Sequence, residues 1–154
     1  MKRYLAFAAV AMALFSPGVA FALSCMAPNM DETVIGGAVM IFEGTAGRER
    51  PLDPRETAAV REQGLKSTGG IENFMVSPFT VTRGWKGVEN GDEVNVLLDT
   101  YWGDRFATGA AWLVVSPQRV GELYALPLCG NSADINYAAD SGMLDTLRRV
   151  IGGY

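Results

Sequence analysis

The sequence predicts a mainly β domain of five strands and two helices, and three observations lead to this fold class. Five apolar segments of strand length are bounded by residues that favour turns. A capping-box motif lies between the first two segments, and an amphipathic stripe follows the last one. The predicted strands lie within residues 34–42, 74–81, 94–98, 110–115 and 123–128.

The first two strand segments each carry a predicted irregularity. Val34 to Phe42 is apolar except for Gly36 and Gly37, which indicates a strand buried on both faces with a kink or bulge at its start. In the second segment the apolar side chains change register across Ser77-Pro78. Because proline cannot donate to a central ladder, this change is typical of a bulge or an edge position.

The other three strands are simpler. Residues 94–98 alternate apolar and polar side chains, which predicts a half-buried strand. Residues 110–115 and 123–128 are apolar, and each segment is bounded by glycine or proline.

The helix between the first two strands is predicted from Asp53-Pro54-Arg55-Glu56, a capping box with proline at the first helical position. The expected helix runs from Pro54 to residue 63, before a glycine. Its apolar face is thin, so we expect an exposed excursion rather than a part of the core.

The second helix is predicted near the C-terminus, where five apolar residues recur at helical spacing and Gly152 supplies a stop. We interpret the stripe as core packing rather than as a surface for a partner helix. Its members are Met143, Leu144, Leu147, Val150 and Ile151.

Residues 1–22 have the features of a secretory signal peptide: a positive start, an apolar stretch from Tyr4 to Phe15, and a small-residue cleavage site ending at Ala22. The mature chain, 23–154, is then a single periplasmic or secreted domain with no membrane span. An uncleaved anchor is one alternative. Lipidation of Cys25 is another, although Leu23 lies one place too close for that cleavage pattern.

Cys25 and Cys129 are the two cysteines of the chain. In a short exported protein such a pair indicates a disulfide rather than a metal or redox site. The bridge would close a loop of roughly 100 residues and contribute about 4 to 5 kcal/mol in the chain-entropy model. The alternative is two unrelated buried thiols.

The composition argues against several function classes. After removal of the leader, the chain has eleven basic and seventeen acidic residues. The mature chain is therefore acidic, and it lacks the run of basic residues that would attract nucleic acid or anionic lipid. Histidine is absent, which removes the commonest general base and zinc ligand. No paired carboxylates or calcium-loop spacing stand out. We therefore expect a protein that is not an enzyme and holds no metal or cofactor.

The order of these features resembles the netrin-like module found in tissue inhibitors of metalloproteinases and in small bacterial exported relatives. This resemblance implies a five-stranded Greek-key barrel of the OB type and covers most of the mature chain. The matching segments are Cys25, 39–45 (Val-Met-Ile-Phe-Glu-Gly-Thr), 79–87 (Phe-Thr-Val-Thr-Arg-Gly-Trp-Lys-Gly), 94–96, 109–115 and 128–130 (Leu-Cys-Gly).

The resemblance implies that, in the inhibitors, an N-terminal Cys-x-Cys supplies the amine and the carbonyl that chelate the zinc of the target protease. Here Leu23 stands where the first cysteine belongs, and the segment 101–108 lacks its partner cysteine. A loose N-terminus must be ordered on binding at roughly 1 to 2 kcal/mol per residue. Leu23, Ser24 and Cys25 are therefore a candidate binding ridge without the disulfide that would hold its first residue.

Aromatic residues on loops are further candidates. Tyr101, Trp102 and Phe106 lie beside Arg105 between the third and fourth strands, a composition typical of a protein or glycan contact site. The alternative is that Trp102 and Phe106 cap the barrel end. Trp85, which follows the second strand, is interpreted as a barrel-end plug rather than a ligand platform.

These observations lead to three hypotheses of function. The first is an exported, non-catalytic protein-interaction module whose partner is a protein, for example an exported protease. The alternative is a metalloprotease inhibitor that acts through the free mature N-terminus. The third, an enzyme with carboxylate-only chemistry, is disfavoured by the composition.

Overall fold

The computed structural model describes residues 27–102, 105–127 and 129–152 of the 154-residue chain, with the side chain of Trp102 left out. The predicted leader, the candidate ridge of Leu23 and Ser24, and Cys25 lie outside the described residues. Their predictions stay predictions.

Within those ranges the chain forms eight strands and four α-helices. The strands are β1 (Met40–Ala46), β2 (Arg50–Pro51), β3 (Phe74–Lys86), β4 (Glu93–Asp99), β5 (Ala111–Ser116), β6 (Gln118–Val120), β7 (Leu123–Ala125) and β8 (Ala133–Asp134). The helices are α1 (Glu32–Gly37), α2 (Pro54–Glu62), α3 (Ile135–Asp140) and α4 (Met143–Val150), and single 3-10 turns cover Ile71–Asn73 and Thr100–Trp102.

All eight strands belong to one sheet, in the order β6-β7-β4-β3-β1-β5-β8, with β2 paired to β3. The pairings are antiparallel except for β4 with β7, which is parallel. Only Pro117 separates β5 from β6, although the two strands lie near opposite ends of the sheet order. The sheet is therefore curled into a half-barrel.

Three apolar clusters make up the core. The inner core includes Met40 and Phe42 of β1, whereas Ile41 between them packs in a different cluster, as expected for alternating strand side chains. That second cluster, the outer helical core, lies against α1, α3 and α4. The third, the α2 core, joins Val60 of α2 to β3, β4, β6 and β7.

The predicted strand start at Val34 is wrong, because Val34 to Gly37 belong to helix α1. The carboxylate of Asp31 accepts a hydrogen bond from Val34 N at 2.9 Å and caps the helix. Lys86 Nζ donates to the Ile35 carbonyl at 2.8 Å near the other end of the helix. The first strand therefore begins at β1.

The predicted bulge at Ser77-Pro78 is absent from the described β3–β4 ladder, whose register is continuous from Phe74 opposite Asp99 to Thr80 opposite Glu93. The apolar side chains move to the opposite face of β3 because different apolar clusters cover the two halves of the strand. Phe74 and Val76 belong to the α2 core, whereas Phe79 and Val81 belong to the inner core.

Pro78 lies where the neighbouring chain leaves β1, and its carbonyl accepts from Gly47 N at 2.7 Å. The register shifts of β3 occur further along, against β1, between Ile41 and Phe42 and between Glu43 and Gly44. Pro78 therefore resembles a residue of an edge strand only locally, because the rest of β3 is a long paired strand.

Helix α2 forms with the predicted capping box: Asp53 accepts from Arg55 N and Glu56 N, and Glu56 accepts from Asp53 N at 2.8 Å. The expectation that this helix is an exposed excursion is wrong. Val60 is fully buried in the α2 core, and Ala59, Leu52 and Leu65 pack against the same cluster, so the thin apolar face attaches the helix to the sheet.

The C-terminal stripe is confirmed as helix α4, with Met143, Leu144 and Leu147 buried in the outer helical core. Helix α3 before it was not predicted; its cap is Asp134, which accepts from Asn136 N at 2.9 Å. The coarse prediction of a mainly β protein with these helices is confirmed.

Candidate functional site

The N-terminal half of the loop between β4 and β5 is tied to the body of the protein by two side chains. Asp99 Oδ1 accepts from Ser67 Oγ at 2.8 Å and from Tyr101 N at 3.0 Å. Thr100 Oγ1 donates to the Asn73 carbonyl at 2.8 Å. The backbone at Tyr101 is therefore fixed by polar contacts to the segment that precedes β3.

The C-terminal half of the loop is held by Glu49. Its carboxylate, only 11% exposed, accepts from Arg105 Nη1 at 3.1 Å and from Phe106 N at 3.3 Å. The Arg105 side chain remains 62% exposed. One largely buried acid thus positions a guanidinium that still faces solvent.

Phe106 lies in the inner core, 7% exposed. Its ring makes edge-to-face contacts with Phe79, at 4.9 Å between centroids, and with Trp112 at 4.8 Å. Phe106 is therefore a core side chain, and it is not at the surface where a partner would touch it. The side chain of Trp102 lies outside the described part of the loop.

Tyr101 is 48% exposed and is one of the large apolar side chains at the surface. Its ring lies close to the backbone at Gly69, where an added Cβ would approach Tyr101 Cδ2 to 2.7 Å. The absence of a side chain at Gly69 leaves room for the ring. We call Tyr101 and Arg105 the anchored pair, because hydrogen bonds fix the backbone at Tyr101 and the side chain at Arg105.

Sequence reasoning identified the anchored pair but missed the residues that position it. Glu49 lies 56 residues from Arg105 in sequence, and Gly69 lies in a turn-rich stretch with no distinguishing pattern. No local signal connects these positions to the loop, because their contacts arise only from the tertiary fold.

A second feature lies where the chain enters the domain. Asn29 N donates to Asn131 Oδ1 at 3.2 Å, which ties the segment after Cys25 to the turn after Cys129. Cys129 is exposed and has φ of 61°, a conformation unusual for a residue other than glycine. The described residues include no free cysteine. The Cys25–Cys129 bridge stays a prediction, since Cys25 lies outside them.

An apolar groove adjoins this segment, and we call it the N-terminal groove. It has a volume of about 180 Å³. Its lining comes from α1 and its C-cap, from the β5–β6 bend and from the segment that follows β7. The lining residues are Thr33, Val34, Gly37, Ala38, Val115, Pro117, Pro127 and Asn131.

Trp85 is buried in the outer helical core. Its Nε1 donates to Glu43 Oε1 at 2.9 Å, and the Arg83 guanidinium lies 3.9 Å from its ring centroid. With one face covered by arginine and its polar atom paired, Trp85 is a core side chain rather than a ligand platform.

A bidentate charged pair joins β2 to helix α2. Arg50 donates to both carboxylate oxygens of Glu56 at 2.7 Å. These hydrogen bonds lower the pKa of Glu56, helped by the Asp53 N–H and opposed by burial, and they raise the pKa of Arg50. Because Glu56 also completes the cap of α2, the pair serves the fold.

The described fold and site define a mainly β protein with a curled sheet, an anchored surface pair and an apolar groove. Among the described residues, no helix is long and apolar enough to cross a membrane, and no group of three or more acidic, cysteine or histidine residues could hold a metal ion. No protein-family model and no curated protein matches the chain.

Proposed function

We propose that this chain is an exported, non-catalytic protein-binding module of the netrin-like type, and that its partner is a protein that docks on the anchored pair, Tyr101 and Arg105. The observation that carries the proposal is the anchoring itself. Both residues have large, exposed side chains, and hydrogen bonds to Asp99 and Glu49 restrain the loop that carries them.

Anchoring matters because ordering a loop on binding costs free energy. Each rotamer-rich side chain immobilised at an interface costs about 0.5 to 1.5 kcal/mol. Here the contact of Glu49 with Arg105 has already restricted part of that freedom. Tyrosine and arginine are also enriched among the residues that dominate protein interfaces. An anchored tyrosine and arginine are thus suited to recognising a protein surface.

We further infer that the curled sheet is a five-stranded Greek-key barrel of the OB type, with β5 and β6 counted as one bent strand. Strands one to five are then β1, β3, β4, the bent strand and β7. The bent strand pairs with β1 through β5 and with β7 through β6, which would close the barrel. The third and fifth strands pair in parallel.

Hydrogen bonds at the bend support this inference. The hydroxyl of Ser116 lies within 2.9 Å of the Gln118 carbonyl and 2.8 Å of the Ala125 carbonyl, so it links β5 to β6 and to β7. A buried serine that joins both halves of the bent strand is consistent with the closed barrel that the netrin-like resemblance implies. Export to the periplasm or beyond belongs to the same proposal.

A capture experiment tests the partner proposal. The mature protein, immobilised, would be exposed to periplasmic extract of its host, and the captured protein would be purified and its affinity measured. We expect the double variant Tyr101→Ser, Arg105→Ser to weaken that affinity about tenfold or more, since residues of this kind are each worth more than about 1 kcal/mol at interface centres.

The matched control is the double variant Tyr137→Ser, Arg148→Ser. Tyr137 is similarly exposed, and Arg148 makes an exposed ion pair with Asp145, but both lie on the C-terminal helices. The control should bind like the wild type. Equal affinities for both double variants and the wild type would refute the role of the anchored pair.

A second candidate function is metalloprotease inhibition through the mature N-terminus, and the Asn29–Asn131 hydrogen bond favours it. This bond holds the segment after Cys25 against the body of the protein, which reduces the ordering cost of a loose terminus. If the α-amino group of Leu23 chelates the protease zinc, one residue added before Leu23 should abolish inhibition. Indifference to that extension would exclude the mechanism.

A further inference from the structure

The turn between β3 and β4 covers residues 87–92 and holds the single Asn-Gly pair of the sequence, Asn90-Gly91. Both residues are exposed, and Gly91 has φ of 90°. Asparagine is a chemically labile residue, and it deamidates fastest before glycine, because no side chain keeps the next backbone nitrogen away from its side-chain carbon. Asn90 is therefore the most reactive asparagine of the sequence, and the structure determines when it can react.

The deamidation reaction joins two groups that are neighbours in the chain. Gly91 N loses its proton to solvent and attacks Asn90 Cγ, and the side-chain nitrogen takes up a proton and leaves as ammonia, which closes a succinimide ring. Water then adds to either ring carbonyl and opens the ring to aspartate or isoaspartate. Water is the co-reactant, and the net change replaces a neutral amide with a carboxylate.

In the folded protein, hydrogen bonds hold both reacting groups on different residues of β3. Asn90 Oδ1 accepts from Gly84 N at 2.8 Å. Gly91 N donates to the Val81 carbonyl at 2.8 Å. The first bond fixes the side chain at Gly84, and the second keeps the proton on the attacking nitrogen and directs that nitrogen towards Val81. Attack on Cγ therefore requires both hydrogen bonds to open.

The turn lies directly against β3. A Cβ added at Gly84 would collide with the Val88 carbonyl, so a glycine is needed where the turn crosses the strand. Glu89 N donates to Asp92 Oδ2 at 2.9 Å, and the Asp92 carbonyl accepts from Val81 N at 2.9 Å. These contacts join the two ends of the turn to each other and to β3, so the reactive pair is released when the turn lifts from the strand.

We propose that Asn90 is a modification site gated by the fold: it deamidates when the β3–β4 turn lifts from β3, and it is protected while the turn is closed. The gate consists of the two hydrogen bonds to Gly84 and Val81. This inference goes beyond the proposed function, and it depends neither on the anchored pair nor on a disulfide.

The two products differ in their effect on the turn. Aspartate keeps a side-chain oxygen that can accept from Gly84 N, although its charge is added to those of Glu89, Asp92 and Glu93. In isoaspartate the chain runs through the former side-chain carbon, so the carbonyl that accepted from Gly84 becomes part of a longer backbone. Isoaspartate therefore prevents the turn from closing again, which makes the conversion an irreversible change of local structure.

Peptide mass analysis of the exported, processed protein after incubation at neutral pH tests the gate. Conversion of Asn90 is followed by the mass gain of an amide-to-acid exchange and by isoaspartate in its peptide. We expect conversion in the folded protein to be at least about tenfold slower than in the same protein unfolded in urea. In urea, Asn90 should convert well ahead of Asn95, which precedes a β-branched valine.

Three alanine variants separate opening of the turn from a general loss of stability. Gly84→Ala should push the turn off β3 and speed conversion in the folded protein at least about tenfold. Asp92→Ala, an exposed change that removes the acceptor of Glu89 N, should speed it by a smaller factor. Val60→Ala is the control, because it weakens the α2 core, which contains no residue of the turn, and should leave conversion in the folded protein unchanged.

Hydrogen exchange at the Gly84 amide tests the effect of the product. Exchange should be at least about tenfold faster in the isolated isoaspartate form than in unconverted protein. The variant Asn90→Asp keeps an acceptor for this amide and should retain most of its protection. Equal protection in the isoaspartate form and in Asn90→Asp would refute the proposed effect on the turn.

Three results would overturn the gate itself. The first is conversion in the folded wild type that is as fast as in urea. The second is an unchanged rate in both folded turn variants, Gly84→Ala and Asp92→Ala. The third is equal acceleration in Gly84→Ala and Val60→Ala, which would show that global unfolding rather than the turn controls the reaction. Partner binding by the anchored-pair variant has no bearing on these measurements, so the two proposals fail separately.

Discussion

Two serine side chains are fully buried in the described core, Ser77 of β3 and Ser116 of β5, and they differ in their hydrogen bonding. The hydroxyl of Ser116 is within hydrogen-bond distance of the carbonyls of Gln118 and Ala125. The hydroxyl of Ser77 has no partner among the described residues. A buried hydroxyl without a hydrogen bond costs about 1 to 3 kcal/mol relative to one that is paired.

We therefore expect opposite results from the same substitution at the two positions. Ser116→Ala should lower the free energy of unfolding by about 1 to 3 kcal/mol, because two carbonyls at the bend lose a contact. Ser77→Ala should be neutral or stabilise the protein by up to about 1 kcal/mol. Urea unfolding of both variants measures the difference, and equal losses would show that Ser77 is paired in solution.

At the scale of single elements, one charged pair links helix α2 to β2, and its acid also takes part in the capping box of the helix. Arg50 lies in β2, and Glu56 lies in the first turn of the helix. The lowered pKa of Glu56 means that the folded state favours its ionised form. Stability from this pair is therefore fully present above the ordinary value near 4.5 and is lost as the pH falls through the lower folded-state value.

The variant Glu56→Gln should remove this part of the pH dependence. Glutamine can still accept from the Asp53 N–H, so the cap survives while the charge pairing with Arg50 is lost. We expect a loss of up to about 1 kcal/mol at pH 7, reduced at high salt because Arg50 is partly exposed, and no loss relative to wild type at low pH. Glu62→Gln, which removes an exposed carboxylate of the same helix, is the control. Identical pH profiles for wild type and Glu56→Gln would contradict the assignment.

The elements that the sequence predicts well are those whose signal is local. The capping box at Asp53 and the stripe ending near Ile151 both specify a helix within a few residues. Helix α1 was not predicted because its interior, from Val34 to Gly37, is rich in β-branched residues and glycine. Only Asp31 at its cap indicates a helix. Strand β2 and strand β8 have two residues each, too few for any periodicity.

At the scale of the whole molecule, what the sequence could not predict is what distant segments build together. The N-terminal groove joins α1 to residues around Pro117 and Asn131, which lie about 80 to 100 positions further along the chain. Glu49 reaches Arg105 across 56 positions. The candidate pair could be chosen from composition, but its anchoring and the groove follow from strand pairing, which no local pattern encodes.

The largest whole-molecule prediction is the Cys25–Cys129 bridge, which would fasten the start of the mature chain to the turn after β7. Two observations support it: the Asn29–Asn131 hydrogen bond brings the two segments together, and Cys129 adopts a left-handed conformation that a covalent constraint can hold. Non-reducing mass analysis should find the mature protein two mass units lighter than its dithiol form. Two free thiols would refute the prediction.

The same bridge makes a thermodynamic prediction that distinguishes it from two unrelated thiols. If the cysteines are bonded, Cys25→Ser, Cys129→Ser and the double variant all remove one cross-link, so each should lower the free energy of unfolding by the same amount, about 2 to 5 kcal/mol. If they are separate thiols, each substitution acts alone and the losses add in the double variant. Urea unfolding of the three variants under oxidising conditions measures this, and the wild type under reducing conditions should match the double variant.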